Sequence, residues 1–329
     1  MLKILITGGA GFIGYNISKM LSNNDENDVH IIDDLSKGEM DDEFKSLIER
    51  NNVTFFKMDL TDLNTYSRID PEYNQIYHLA AVVGVKKVTE NPSLTIRINA
   101  LSTIYLLEHI SKMACTPKIL FASSCENYAG SIKNCNVKIP TPEAIPLCIE
   151  DVYNPRWSYA VTKILGEIAC LNYSKQYGFD TTIVRYHNIY GPRMGTQHVI
   201  PEFILKLKKD PTKLEMFGGH QYRTFCYVTD AAKMTVNLMN NKISNNKILN
   251  IGNDFECIKI SSLAKKLSQI MQISPEFFER GAPSGSTEKR IPDLSQIKEL
   301  RFYISEVSLS KGLADTFAWY NENYRKGDN

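Results

Sequence analysis

The chain has 329 residues, 43% of them hydrophobic, with 38 basic and 37 acidic side chains and a net charge of +1. A chain of this size can bury one large core or two smaller ones. Its balanced charge argues against nucleic-acid or membrane-surface partners, which need a basic footprint, and no stretch approaches the ~20 apolar residues of a membrane helix.

In chain order, Lys3–Thr7 (KILIT) is a short apolar, β-branched run, the pattern of a buried parallel strand. The apolar start is too short for a secretory signal. A glycine-rich turn follows at Gly8–Gly14, then a helix over Phe12–Leu21. Val29–Asp33, Val53–Leu60 and Gln75–Ala81 read as the next strands. Ser93–Met113 is a long helix, with Ile96, Leu101, Ile104 and Leu107 at helical spacing. Lys118–Ser124 is a strand, and a loop containing Pro140, Pro142 and Pro146 leads to Pro155. Trp157–Tyr177 is a helix, Thr181–Tyr186 and Ile248–Gly252 are strands, and Ser261–Met271 and Leu309–Tyr324 are helices.

Strands alternating with helices predict an α/β fold: a Rossmann-type doubly wound parallel sheet with a smaller C-terminal substrate-binding lobe. We expect a dinucleotide domain over 1–187, with 225–252 partly returning to it, and the lobe over 188–329. Seven cysteines without a CxxC pair read as free cytosolic thiols. Six dispersed histidines point to no metal.

The turn TGGAGFIG (Thr7–Gly14) stands between a strand and a helix. Glycines there permit a tight turn and close approach to a pyrophosphate, while the helix N-terminus offers N–H groups to the anion. Asp33 ends the next strand, where a ribose-binding carboxylate belongs, with Asp34 beside it. A carboxylate there repels a 2′-phosphate, so NAD is expected rather than NADP.

WSYAVTK (Trp157–Lys163) puts Tyr159 and Lys163 four apart, on one helix face. A phenol of pKa about 10 becomes a base near neutrality only if lowered by ~3 units, roughly 4 kcal/mol. A nearby ammonium and a positive nicotinamide ring can together supply this.

With TGGAGFIG, IIDDLSKG, HLAA (His78–Ala81), NALSTIYLLE, YAVTK, RYHNIYGPRM, RTFCYVTD, NIGN and RIPD in place, nearly the whole chain resembles the extended short-chain dehydrogenases/reductases. The likeness is to their nucleotide-sugar epimerases and dehydratases. The resemblance implies that Gly8, Gly11, Phe12, Ile13 and Gly14 hold the pyrophosphate of NAD. It implies that Asp33 and Asp34 meet the adenosine ribose, Asp59 and Leu60 the adenine, and Leu79, Ala80 and Ala81 the cofactor path. Asn99 supports the site. Tyr159 takes the proton from the sugar C4 hydroxyl while hydride passes to NAD, Lys163 holds the nicotinamide ribose, and Ser124 bonds the same sugar oxygen. Asn188, Val199, Arg223 and Arg290 bind the nucleotide-diphosphate sugar. The family often forms homodimers through helices equivalent to Ser93–Met113 and Trp157–Tyr177, in the cytoplasm.

The strand tip Ser124-Cys125-Glu126 departs from simple 4-epimerases, in which small or apolar residues follow the serine. Glu126 stands where family dehydratases and decarboxylases keep a second base. A C4 ketone acidifies the C5 hydrogen, so a carboxylate can remove it and the C6 hydroxyl can leave. The leading expectation is therefore a 4,6-dehydratase. Cys125 stands where an acid serves the leaving hydroxyl, and a thiol is a weaker donor. The alternatives are a C4 epimerase and a UDP-glucuronate-type decarboxylase, whose substrate carboxylate needs a cation such as Arg290 or Lys86. A more remote one is a non-catalytic NAD-binding scaffold.

Overall fold

The computed structural model describes residues 1–324; the last five residues of the expected lobe lie outside the described residues. Seven strands form one parallel sheet: β1 (Leu2–Thr7), β2 (Asn27–Asp33), β3 (Val53–Lys57), β4 (Gln75–His78), β5 (Lys118–Ser124), β6 (Asp180–Tyr186) and β7 (Lys247–Ile251). Their order is β7-β6-β5-β4-β1-β2-β3, and every pairing is parallel.

The pattern of β1 shows why. Ile4, Leu5 and Ile6 are all fully buried, so both faces of the strand are covered, as in a sheet flanked by helices. Ile4 and Ile6 join a cluster with α1 (Phe12–Leu21) and α5 (Val228–Met239) on one face. Leu5 joins the opposite cluster, which includes residues of α2 (Pro92–Ile110) and α3 (Trp157–Tyr177). A third cluster, between Tyr190 and Tyr320, is built on α4 (Val199–Lys209), α6 (Ile260–Ile270) and α7 (Leu309–Asn323).

Two findings differ from the sequence reading. The buried stripe of α2 is Thr95, Asn99, Ser102, Thr103, Leu106, Leu107 and Ile110, while Ile96 is 47% exposed. Small polar residues line the first half of that stripe and Leu106, Leu107 and Ile110 the second, while Ile96 is left outside. Helix α4, with Ile200, Phe203, Ile204 and Leu207 buried at helical spacing, covers a stretch to which the sequence reading assigned no element.

Strand order reverses between β1 and β4. A crevice at the carboxyl ends of the strands is the expected ligand position at such a switch point. The register aligns Thr7 with His78, His78 with Phe121 and Ser124 with Tyr186, so the strand ends open onto one edge. Among the described residues no helix is long and apolar enough to cross a membrane.

Candidate active site

That edge opens into a cleft of about 1250 Å³. The turn after β1 forms one wall. Gly8 has φ +72°, and a Cβ there would sit 2.7 Å from the Ala80 backbone nitrogen. A Cβ on Gly14 would sit 2.1 Å from the Gly8 carbonyl oxygen. Only glycine allows this approach. Helix α1 begins at Gly11 with no side-chain cap, which leaves its first N–H groups for an anion at the cleft wall. Asp33 accepts hydrogen bonds from Ala10 N (3.1 Å) and Leu35 N (2.9 Å). Burial nevertheless pushes its carboxyl above the ordinary range. These residues fit the pyrophosphate and ribose of a dinucleotide.

Gly8, Gly11, Phe12, Ile13, Gly14, Asp33, Asp34, Asp59, Leu60, Leu79, Ala80 and Ala81 all line the cleft. At its inner end it reaches Ser124, Cys125, Glu126, Tyr159, Lys163, Asn188 and Arg290. Three residues expected at the site lie behind its walls. Asn99 is buried and ties the loop at Val82 (Oδ1 to Val82 N, 2.7 Å) to Thr162 of α3 (3.2 Å). Val199 packs against the lobe core. The guanidinium of Arg223 donates to Tyr222 O, Glu288 O, Thr287 O and Gln221 Oε1.

Tyr159 and Lys163 share the inner face of α3. Lys163 is 4% exposed and donates to the Ala122 carbonyl at 2.7 Å. Burial pushes its ammonium down to about 8. Its nitrogen lies 5.8 Å from the centre of the Tyr159 ring. Burial pushes the Tyr159 phenol above its ordinary range, and the Ser124 hydroxyl pulls the other way. The lowering expected from sequence calls on the positive nicotinamide ring as well as on Lys163.

The strand tip is an ion cluster. Glu126 Oε1 accepts from Arg290 Nη1 at 2.7 Å, and Oε2 lies 3.6 Å from Arg156 Nη2. Burial raises the Glu126 carboxyl, but Arg290 and Arg156 outweigh burial and hold it below the usual range. Burial is also the largest influence on the Cys125 thiol, which is pushed up. Arg156 was not expected at the site, although PRWSY preceded the tyrosine motif. Arg193 also lines the cleft, stacked 4.0 Å over Tyr15 and paired with Asp41 at 2.7 Å. Its motif was read without assigning it a role. Among the described residues no group of three or more His, Cys, Asp or Glu side chains could hold a metal ion.

The profile described as the NAD dependent epimerase/dehydratase family matches residues 4–252. The chain belongs to this family. A UDP-N-acetyl-alpha-D-glucosaminuronate decarboxylase of Bacillus cytotoxicus is 33% identical, covering 97% of this chain and 98% of that protein. A putative UDP-glucose 4-epimerase of Methanocaldococcus jannaschii is 31% identical, over 98% and 99% of the two chains. The crystal structure of UDP-glucuronic acid 4-epimerase from Bacillus cereus, in complex with UDP-glucuronic acid and NAD, is 28% identical with a TM-score of 0.83. That match covers 98% of this chain and 100% of the other. As a member of the NAD-dependent epimerase/dehydratase family the protein is an enzyme, its cofactor is NAD, and its relatives include nucleotide-sugar epimerases and decarboxylases.

Proposed function

We propose that the enzyme decarboxylates a nucleotide-activated uronic acid after transient oxidation at C4. The observation that carries this reading is the carboxylate of Glu126 held between Arg290 and Arg156 at the inner end of the cleft. Two guanidinium groups there form a seat for a carboxylate. A 4,6-dehydratase, our leading expectation from sequence, needs Glu126 free as a base and an acid at position 125. Glu126 is engaged by both arginines, and the Cys125 thiol is buried and raised. A simple 4-epimerase has no use for two cations at this tip. The decarboxylase relative, similar over its whole length, supports the same choice.

Bound NAD would supply a hydride acceptor for C4 that can also give the hydride back, and a positive ring beside the phenol that would favour its ionised form. Tyr159 receives the C4 hydroxyl proton, and Ser124 orients that oxygen. Lys163, fixed by the Ala122 carbonyl, holds the nicotinamide ribose. Gly8, Gly11 and Gly14 border the pyrophosphate and Asp33 the adenosine ribose. The substrate carboxylate takes the arginines from Glu126. Without them burial dominates, so Glu126 gains a proton. With C4 a ketone, the C5–carboxylate bond breaks, carbon dioxide leaves, and its electron pair moves toward the C4 oxygen. Glu126 then gives C5 its proton.

We place the nucleotide half in the lobe of residues 188–329, and residues 225–252 with the dinucleotide domain. Val161, Leu165 and Ile168 of α3 form an outward stripe, Ile168 being 55% exposed, and Ile96 of α2, which packs on α3, is exposed as well. We propose this face as a homodimer contact. The test of function is mass analysis of product after incubation with a UDP-uronic acid. Loss of one carbon dioxide is expected; loss of one water, or an unchanged mass, would overturn decarboxylation.

A further inference from the structure

Away from the catalytic residues, the sulfur atoms of Cys135 and Cys148 lie 3.2 Å apart across 13 positions of sequence. A disulfide bond is about 2.05 Å long, so closing the gap takes a motion of roughly one ångström. Cys135 is exposed at the end of the helix Ala129–Asn134, and Cys148 is partly buried.

The segments carrying them are locked together without the thiols. Ser131 Oγ donates to the Pro146 carbonyl (2.5 Å) and accepts from Cys148 N (3.0 Å). Lys133 pairs with Glu150. A Cβ on Gly130 would sit 2.0 Å from the Cys148 carbonyl oxygen, so the helix and the loop meet backbone to backbone. The two sulfurs therefore face each other in a preformed geometry. Cys170 and Cys226 are buried away from the cleft, which keeps them from a small oxidant.

We propose that Cys135 and Cys148 are a thiol–disulfide modification site whose oxidant is a low-molecular-weight disulfide of the glutathione class. The Cys135 thiolate attacks one sulfur of the small disulfide, forming a mixed disulfide and releasing one small thiolate. The Cys148 thiolate then attacks the Cys135 sulfur, forming the protein disulfide and releasing the second. The two protein sulfurs lose two electrons and the small disulfide gains them. The two protein protons finish on the two small thiols. The hydrogen bond to Cys148 holds the Cys135 thiol above its ordinary range, so exchange accelerates with rising pH. The closed ring staples the helix that follows Glu126 to the segment leading into Arg156, and it restricts the unfolded chain.

The test treats the folded enzyme with oxidised glutathione and maps disulfides by mass spectrometry of an unreduced digest. One link, Cys135 to Cys148, is expected, with two small thiols released per chain. The oxidised enzyme should melt at a higher temperature, and dithiothreitol should reverse this. Cys135→Ser and Cys148→Ser should each abolish both effects and leave turnover of the reduced enzyme unchanged. A persistent mixed disulfide, links through other cysteines at comparable yield, or an unchanged melting temperature would overturn the proposal. The wild-type map stands even if a variant folds poorly.

Discussion

The Glu126 carboxylate occupies the place our reading gives to the substrate, so single substitutions separate the roles of its neighbours. Arg156→Met removes a cation from the carboxylate seat but leaves the cofactor groups alone. A hydrogen bond to a charged group is worth about 1.5–3 kcal/mol. KM for a UDP-uronic acid should therefore rise roughly 10- to 150-fold, while binding of the matching neutral UDP-hexose stays unchanged by calorimetry. Equal losses for both ligands would place Arg156 on the diphosphate. Tyr159→Phe removes the group that accepts the C4 proton. Turnover should fall about 10²- to 10⁴-fold, with NAD affinity preserved in a fluorescence titration. At this scale much was legible in sequence. The glycines, Tyr159 and Lys163 stand out by spacing, because their chemistry depends on local chain geometry, whereas Glu126 was marked only by the family resemblance. Arg156 and Arg290 became partners of Glu126 only through folding, since 164 residues separate Glu126 from Arg290. No pattern along the chain encodes such a distance.

Strands β5 and β6 and helix α3 are joined beneath the catalytic tip by a buried polar network. Glu167 of α3 pairs with Arg185 of β6 through Arg185 Nε (2.8 Å) and Nη2 (2.6 Å). The same carboxylate accepts from Ser123 Oγ (2.5 Å) and Asn127 Nδ2 (2.9 Å), which flank Ser124 and Glu126. Arg185 also donates to Tyr128 Oη at 2.9 Å. Breaking one side of such a pair strands the other charge in the core. Glu167→Ala should destabilise the protein by about 3–5 kcal/mol in denaturant unfolding, and Arg185→Met should do the same. Replacing both should cost less than the sum of the two singles; additive losses would mean the pair does not act as one unit. The elements themselves were well marked in sequence, as α1, β5 and α3 show, because each carries a full period and clear ends. Helix α4 escaped because Pro201 interrupts its first turn, and proline is tolerated there. Within α2 the expected apolar spacing divides, with Leu107 buried and Ile96 exposed, because small polar residues take the inward positions of the helix's first half.

For the whole molecule, two buried histidines set a pH dependence. Burial pushes His78 and His187 down to about 3. Between pH 6.5 and 3 the unfolded chain binds protons that the folded chain refuses. Stability is therefore complete above the ordinary histidine range and falls as pH drops, with a slope of about 1.4 kcal/mol per pH unit for each histidine. Denaturant midpoints measured from pH 7 to pH 4 should show this fall, and His78→Gln should flatten it. The outward stripe of α3 predicts a dimer in sedimentation that Leu165→Glu with Ile168→Glu converts to a monomer without loss of fold. The central claim joins C4 oxidation to loss of the C5 carboxylate, and one measurement reads both. A UDP-uronic acid is turned over in deuterium oxide, and the product is examined by nuclear magnetic resonance. The account predicts a UDP-pentose with deuterium at C5 and the original hydrogen still at C4; deuterium at C4, or a product that keeps its carboxylate, would contradict it.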